Sequence, residues 1–292
     1  MPNAVMSDDY RKYVLDDLKK YEAIRSPLRA GALERLIVQE KSPFELHPNP
    51  ADEFSMPAIG PNYGIVNRYY QLMREGSQSV WKEPIMAEKM SPEGYMLLNG
   101  HHRWFAAIKA GKEKVPVRVV NLVHEKELNQ MLAASDRDKR AVFDLDEVLW
   151  IRDGEASSPA EKAPGFFSGL RYKQRLRRYA PILLRELGKM GYDVWVYTAG
   201  YYSVEYIQGF FRSYKVKIAG VVNGSRRGKK GGKSELAGMR SAFAKKYRET
   251  LHIDLEHLTR ICPAQDDFDY LTLEQAEENW SVKVLKAVRS FQ

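Results

Sequence analysis

The stretch Ala141–Trp150, AVFDLDEVLW, joins a short apolar run to two aspartates that are separated by one residue. The apolar residues 141–143 predict the end of a buried strand. Residues that follow such a strand in a parallel sheet lie at its carboxyl edge, where open α/β sheets build their binding sites. Asp144 and Asp146 are therefore expected to face a single crevice.

Two neighbouring carboxylates raise each other's pKa, and a bound cation relieves their repulsion. Mg²⁺ suits such a pair because it prefers hard oxygen ligands and keeps room for water and a phosphate. In this arrangement the first carboxylate can attack phosphorus, while the second protonates the leaving group and then deprotonates water. The pair predicts a Mg²⁺-dependent phosphohydrolase with Asp144 as nucleophile and Asp146 as acid and base.

The motif Asp144-Leu145-Asp146-Glu147-Val148 resembles the opening signature of the haloacid dehalogenase-like (HAD) superfamily. The second signature of that superfamily is a Ser or Thr at the end of the next strand, and here it is Thr198. The residues around it, Tyr197-Thr198-Ala199-Gly200, resemble the corresponding motif of the capless phosphatases that act on the polymerase tail. The resemblance implies that Thr198 and a lysine hold the phosphoryl group. For the lysine we choose Lys233, at the end of the basic segment 223–233.

A further acid is expected to complete the metal site at the end of another strand. Asp254 fits, since it follows the strand-like residues 251–253, but it lacks the paired aspartates usual in HAD phosphatases. Such a pair occurs at residues 266–267. We therefore predict Asp254 as the third ligand beside Asp144 and Asp146, with Asp267 as the alternative.

The order of strands and helices after residue 141 predicts a three-layer, doubly wound Rossmann-like domain. It includes a helix over Leu170–Met190 and a strand over Asp193–Tyr197. The intervening segment Ile151–Gly169 leaves little room for a cap domain. An open site favours a macromolecular substrate, either a phosphorylated protein or a nucleic-acid end.

A second motif, Asn99-Gly100-His101-His102-Arg103, lies between a predicted strand at Tyr95–Leu98 and a predicted helix at Trp104–Ala110. A helix N-terminus presents unpaired N–H groups to a phosphate. Gly100 allows the backbone to approach closely, and Arg103 can add a charge-assisted pair. The plain alternative is that the two histidines cap the helix and fill the edge of the sheet.

The segment from about Leu36 to Leu122 resembles the ParB/sulfiredoxin superfamily in this Gly-His-His-Arg turn. The resemblance implies an α+β domain that binds phosphate or nucleotide through Gly100, His101, His102 and Arg103. Sulfiredoxins carry a catalytic cysteine where this chain has His101, which argues against reductase activity. The turn is more similar to that of the free serine kinases, which implies ATP or ADP as ligand.

The composition allows two ordinary domains in 292 residues, with a net charge of +8 that favours phosphorylated or nucleic-acid partners. The single cysteine, Cys262, excludes an internal disulfide framework. With no apolar run of ~20 residues and no signal-peptide core, we expect a cytoplasmic protein without a membrane span. The predicted organisation is a helical extension (1–35), a ParB/sulfiredoxin-like domain (36–123), a charged linker (124–140) and a HAD-like domain (141–292).

Two rival functions remain open on the sequence, as does the oligomeric state. In the first, the N-terminal domain is a nucleotide-dependent kinase or nucleotide-hydrolysing switch. In the second, both domains are degenerate and the protein is a non-catalytic, nucleic-acid-binding regulator. The missing Asp-Asp pair after Ile253 favours the second.

Overall fold

The computed structural model of the chain describes residues 16, 26–56, 58–151, 160–224, 235–262, 267–273 and 280–291. Its contacts divide the chain into two compact units, one formed by the described residues up to Leu122 and the other by those from Val123 onward. Both units mix helices with strands. Among the described residues, no helix is long and apolar enough to cross a bilayer. Most of the predicted N-terminal helical extension lies outside the described residues.

The described residues of the first unit form six strands and three helices longer than one residue. The strands are β1 (Ser26–Pro27), β2 (Gln39–Lys41), β3 (Leu46–His47), β4 (Ile85–Ser91), β5 (Tyr95–Asn99) and β6 (Val115–Val119), and the helices are α1 (Ala32–Leu36), α2 (Tyr63–Arg74) and α3 (His101–Lys109). The strands form one mixed sheet in the order β2-β6-β4-β5-β3, with β1 paired to β4. Short 3₁₀ turns at Pro43–Glu45, Glu53–Ser55 and Gln78–Trp81 lie between these elements.

The core of the first unit forms where α3 packs beside the sheet. Trp104 in α3 is completely buried, and its indole N–H donates to the Pro43 carbonyl at 2.8 Å. Because the indole is satisfied in this way, the large ring contributes apolar burial without an unpaired donor. The first turn of α3 is thereby held in place directly after Gly100.

The second unit contains the remaining strands and helices. The strands are β7 (Lys139–Asp144), β8 (Trp150–Ile151), β9 (Arg175–Leu176), β10 (Tyr192–Tyr197), β11 (Gly220–Val222), β12 (Glu249–Ile253), β13 (His257–Cys262) and β14 (Asp267–Thr272). The helices are α4 (Glu125–Ala133), α5 (Phe166–Arg171), α6 (Ala180–Lys189), α7 (Val204–Ser213), α8 (Glu235–Lys246) and α9 (Trp280–Ser290).

The main sheet of the second unit has the order β11-β10-β7-β12-β13-β14. The first four strands run parallel, so their carboxyl ends meet at one edge. In β10 the apolar side chains on both faces are buried, which is typical of a central parallel strand. Strand β7 lies between β10 and β12, and this central position puts Asp144 in the middle of the carboxyl edge.

A five-residue π-helical turn, Leu145–Leu149, follows β7 directly. It leads into β8, which forms a two-stranded antiparallel sheet with β9. Isolated π-helical turns are often found at functional sites, since they re-aim side chains within one turn. Here the turn carries Asp146, the second aspartate of the motif.

Two elements differ from the sequence-based predictions. The segment 124–140, predicted to be a charged, helix-compatible linker with a solvated face, forms α4 and the first two residues of β7, and its Leu128 and Leu132 are buried in the core of the second unit. The predicted single helix over 170–190 is divided into α5, β9 and α6. Tyr179, with φ of 62°, adopts a left-handed conformation directly before α6, which ends any continuous helix there.

Candidate functional sites

Asp144 is the last residue of β7 and caps the π-helical turn that follows it. Its Oδ1 accepts a hydrogen bond from the backbone N–H of Glu147 at 2.8 Å. Burial raises the pKa of Asp144, and the negative charges of Asp146 and Glu147 raise it further, against the opposing effect of the backbone hydrogen bonds. Asp144 is thus a half-buried carboxylate held in one orientation at the edge of the sheet.

Asp146 is tied to the neighbouring strand by two hydrogen bonds. Its Oδ2 accepts from the hydroxyl of Thr198 at 2.6 Å and from the backbone N–H of Ala199 at 3.1 Å. Thr198 follows β10, which pairs in parallel with β7, and its backbone N–H donates to the Val222 carbonyl at 3.0 Å. The structure therefore places Thr198 against Asp146, two residues after Asp144, while the catalytic roles of the three residues stay predictions.

The hydroxyl of Thr198 has a more specific arrangement than the sequence suggested. It donates to Asp146 and accepts from the Gly200 N–H at 2.9 Å, and the residue is completely buried. In this conformation Thr198 orients the carboxylate of Asp146. A direct contact between Thr198 and a phosphoryl group stays a prediction.

The amides of Glu147, Ala199 and Gly200 contribute to this site through their backbone N–H groups, and sequence reasoning did not assign them. A backbone donor leaves no signal in residue type. Gly200 is the exception, because a Cβ there would lie 2.4 Å from Cε2 of Tyr202 and 3.3 Å from the Thr198 hydroxyl oxygen. A side chain at this position would force the ring of Tyr202 to shift.

Asp254 lies at the same edge of the sheet as Asp144. It directly follows β12, whose last residue, Ile253, pairs with Phe143 of β7. Its side chain is exposed, and its Oδ1 accepts from the Leu255 N–H at 2.5 Å. Within the part of the chain that the structure describes, no group of three or more His, Cys, Asp or Glu side chains is close enough to hold a metal ion. The third ligand stays a prediction.

The strand register argues against the alternative ligand, Asp267. This residue begins β14 and pairs with Cys262, the last residue of β13. Since β13 is antiparallel to β12, the start of β14 lies level with the amino end of β12, near Thr250. The backbone of Asp267 is therefore at the opposite edge of the sheet from Asp144. The two residues are separated by several residues along the strand direction, each of which spans about 3.3 Å. The predicted phosphate-binding Lys233 lies outside the described residues.

In the first unit, Gly100 forms the turn that begins α3. Its φ of 95° is in the left-handed region, and a Cβ would lie 3.1 Å from Nη2 of Arg103 and 3.3 Å from Cγ1 of Ile85. Both the backbone conformation and the packing therefore require glycine. This turn directs the next three side chains of the motif.

His101 is a buried, neutral histidine. Its Nε2 accepts from the backbone N–H of Asn49 at 3.3 Å, and its Nδ1 lies 3.8 Å from Oδ2 of Asp52. Burial lowers the pKa of His101 to about 4, although the Asp52 carboxylate opposes this shift. Nε2 must be unprotonated to accept from Asn49, which agrees with the lowered pKa.

His102 is half-buried and also accepts from the backbone. Its Nε2 accepts from the Asn62 N–H at 3.1 Å, and burial lowers its pKa. The ring of Phe54 packs against both histidines, with centroid distances of 5.3 Å to His101 and 5.1 Å to His102. The two histidines thus fix the loops before α2 against the start of α3. This differs from the plain alternative of helix capping, because both rings accept from backbone N–H groups of other loops.

Arg103 is buried and directs its guanidinium at backbone carbonyls. Nη1 donates to the carbonyl of Glu83 and, at 3.5 Å, to that of Val80, while Nη2 donates to that of Pro84 at 3.5 Å. Burial lowers the pKa of Arg103 from its ordinary high value. The role of Arg103 as a phosphate partner stays a prediction; in this structure Nη1 and Nη2 stabilise the segment before β4.

Around this turn lies a cavity of about 550 Å³, a volume suited to a small ligand. The described residues that line it belong to the first unit. The residues that line it are Asp52, Ile65, Tyr69, Ser79, Val80, Lys82, Glu83, Leu98, Asn99, Gly100, His101, His102 and Arg103. The four residues of the predicted Gly-His-His-Arg site therefore share one cavity.

The comparisons with known proteins bear on this unit. Residues 77–135 match the ParB N-terminal domain family. The ParB-like segment includes both the Ser79–Glu83 wall of the cavity and the Gly100–Arg103 turn, and it ends two residues after α4. The family match agrees with the ParB part of the resemblance noted in the sequence. The match covers well under half of the chain, and it does not reach β7.

Among solved structures, the chain is similar to a C-terminally truncated chromosome-partitioning protein ParB from Caulobacter crescentus, solved in complex with CTP-gamma-S. The identity is 22%, the TM-score is 0.24, and the alignment covers 35% of this chain and 56% of that chain. The alignment thus spans just over half of the solved ParB chain. No curated protein matches this chain.

Proposed function

We propose that the second unit is a Mg²⁺-dependent phosphohydrolase that acts through an aspartyl-phosphate at Asp144. The observation that supports this most is the hydrogen bond of 2.6 Å between Thr198 and Asp146, next to Asp144. It joins the turn after β7 to the residue that follows β10, so Asp146 and Thr198 meet at the carboxyl edge where Asp144 ends β7. The parallel order β11-β10-β7-β12, with β7 at its centre, supports a HAD-like domain of the capless kind.

The proposed reaction has two steps. In the first, a carboxylate oxygen of Asp144 attacks phosphorus, the bond from phosphorus to the leaving oxygen breaks, and Asp146 gives that oxygen a proton. In the second, Asp146 takes a proton from water, the water oxygen attacks phosphorus, and the acyl-phosphate bond breaks to release phosphate. Thr198 and the Ala199 amide keep Asp146 oriented through both steps.

The residues at this edge fit a magnesium ion. Carboxylate oxygens are the hard donors that Mg²⁺ prefers, and one or two of them with a substrate phosphate are its usual protein ligands. The like charges of Asp146 and Glu147, which raise the pKa of Asp144, are a repulsion that a cation relieves. Asp144 and Asp146 would hold the ion, which would neutralise the developing charge on the phosphoryl oxygens. Asp254 is the proposed third ligand, and its side chain would have to move to join them, since the three form no metal-binding group in this structure.

The proposed substrate is a macromolecular phosphate. Between Ile151 and Tyr172, the described residues contribute one short helix, α5, and an isolated bridge at Ala160, and this short segment supports a large substrate. A nucleic-acid end is favoured over a phosphoprotein because the chain carries a net charge of +8.

The test is hydrolysis of an aryl phosphate, with and without Mg²⁺, by the intact protein and by Asp144→Asn. Asp136→Asn, which removes an exposed carboxylate of the same unit, is the matched control. We expect metal-dependent turnover that is lost in Asp144→Asn and kept in Asp136→Asn. Full turnover by folded Asp144→Asn protein would exclude the aspartyl-phosphate mechanism.

A second function is favoured for the first unit, namely binding of a nucleoside triphosphate or diphosphate. It is supported by the cavity at the start of α3 and by the match of residues 77–135 to the ParB N-terminal domain. Calorimetric titration with ATP, ADP, CTP, GTP and UTP tests it. CTP belongs in the panel because the ParB structure named above contains a CTP analogue. If the protein binds none of the five nucleotides, this proposal is overturned.

Two outcomes separate this binding role from its rivals. Release of phosphate from a bound nucleotide, kept in Asp144→Asn, would point to a kinase or nucleotide-hydrolysing activity in the first unit. Steeply salt-dependent nucleic-acid binding, without any metal-dependent turnover, would point to a non-catalytic regulator.

A further inference from the structure

We propose that Lys82 is the cation that contacts phosphate in the cavity of the first unit, and that Arg103 is a positioning residue for it. This inference rests on the proposed nucleotide-binding function of that unit. It assigns the charge-neutralising role to a lysine that lies 21 positions before Arg103 in the chain and outside the Gly-His-His-Arg turn.

The guanidinium of Arg103 is already used by the protein. It donates to the carbonyls of Val80, Glu83 and Pro84, and the side chain is only 8% exposed. Redirecting it to a phosphate would leave those carbonyls without their buried donor, which costs free energy. Arg103 therefore stabilises the wall of the cavity rather than its ligand.

Lys82 lies between the residues that Arg103 holds. Val80 is on one side of it in the chain and Glu83 is on the other, so the hydrogen bonds of Arg103 fix the backbone around Lys82. The backbone N–H of Lys82 also donates to the Ser79 carbonyl at 3.4 Å, at the end of the 3₁₀ turn. Its side chain is exposed and lines the cavity. A lysine placed in this way offers a compact charge with three donors on a long stem.

The charges of the cavity wall show why this lysine is needed. Among the described residues of the wall, Asp52 and Glu83 are the acids, and Arg103 and Lys82 are the permanent cations. His101 adds no positive charge near neutral pH, since it accepts a backbone hydrogen bond and is buried. Without Lys82 the two acids outnumber the remaining cation, and the wall would repel a phosphate. With Lys82 the charges balance.

The first experiment is calorimetric titration of the full chain and of Lys82→Ala with the nucleoside triphosphates ATP, CTP, GTP and UTP. Lys114→Ala, which removes an exposed lysine that is absent from the cavity wall, is the matched control. We expect Lys82→Ala to raise the dissociation constant about tenfold or more, Lys82→Arg to restore part of the affinity, and Lys114→Ala to have no effect. Because Lys82 is exposed, these variants should fold.

The role of Arg103 is tested with a double-mutant cycle. If Arg103 acts through Lys82, then Arg103→Lys weakens binding in the native background but adds little in the Lys82→Ala background. Additive effects would show that Arg103 contacts the ligand itself and would overturn its positioning role.

The failures of the two proposals are distinguishable. If the unaltered protein binds none of the five nucleotides, ADP included, nucleotide binding is overturned and this inference with it. Binding that is unchanged in Lys82→Ala would overturn this inference alone.

Discussion

Replacing Thr198 with valine removes the hydroxyl that links Asp146 to β10 while keeping the shape of the side chain. The lost bond is short, 2.6 Å, and its acceptor is a carboxylate. Hydrogen bonds to charged groups contribute about 1.5–3 kcal/mol, and about 1.4 kcal/mol corresponds to tenfold in rate. If Asp146 is the acid and base, kcat/KM for aryl phosphate hydrolysis should therefore fall about tenfold to hundredfold.

The same substitution should also lower stability. The Gly200 N–H loses its acceptor, the Thr198 oxygen at 2.9 Å, and an unsatisfied donor of this kind costs about 1–3 kcal/mol. The assay combines steady-state kinetics at saturating Mg²⁺ with urea denaturation. Thr198→Ser, which keeps the hydroxyl, is the control and should retain most of the activity. A folded Thr198→Val protein with native kcat/KM would refute the idea that Thr198 orients Asp146.

Three further predictions follow from the described contacts. Gly100→Ala should lower the free energy of unfolding more than Gly111→Ala does, and the difference between the two variants should be about 1 kcal/mol or more. Both glycines have positive φ, but only a Cβ at position 100 would meet neighbouring atoms. Thermal unfolding of the two variants measures the difference. His101 has a pKa of about 4 in the folded state against an ordinary 6.5. The free energy of unfolding should therefore decrease by about 3 kcal/mol as the pH falls from 6.5 toward 4. His101→Gln should lack this pH-dependent decrease when unfolding is measured against pH. Asp254→Asn should reduce the apparent affinity of the activity for Mg²⁺, whereas Asp267→Asn should leave it unchanged, and the reverse order in a metal titration would contradict the strand register.

The sequence predicted much of the sheet edge in the second unit. An apolar run ending in Asp144, and a second ending at Thr198 one helix later, are enough to place both residues at the carboxyl ends of neighbouring parallel strands. The contact between Thr198 and Asp146 agrees with this. That the hydroxyl is buried and directed at Asp146 depends on the π-helical turn, which apolar periodicity does not reveal.

Long-range partners explain most of what the sequence did not predict. Leu128 and Leu132 stand in a charged segment that looks solvated, and only the packing of α4 shows that they belong to the core. The position of Asp267 depends on two antiparallel pairings. Strand β13 runs opposite to β12, so it ends at the amino edge of the parallel strands, and β14 begins there with Asp267.

The role of Arg103 depends on carbonyls about twenty residues earlier in the chain. A local motif can suggest that an arginine faces a phosphate, but it cannot show that backbone acceptors already occupy the guanidinium. The family match located the segment without assigning this role.

The most direct test of the central proposal is to look for the phosphorylated intermediate itself. The protein would be mixed with an aryl phosphate and Mg²⁺, quenched in acid during turnover, digested and analysed by mass spectrometry. We predict a phosphoryl group on the peptide that contains Asp144, absent from Asp144→Asn protein treated in the same way. Metal-dependent turnover with no phosphorylation of Asp144, under conditions in which a known acyl-phosphate survives the quench, would contradict the mechanism.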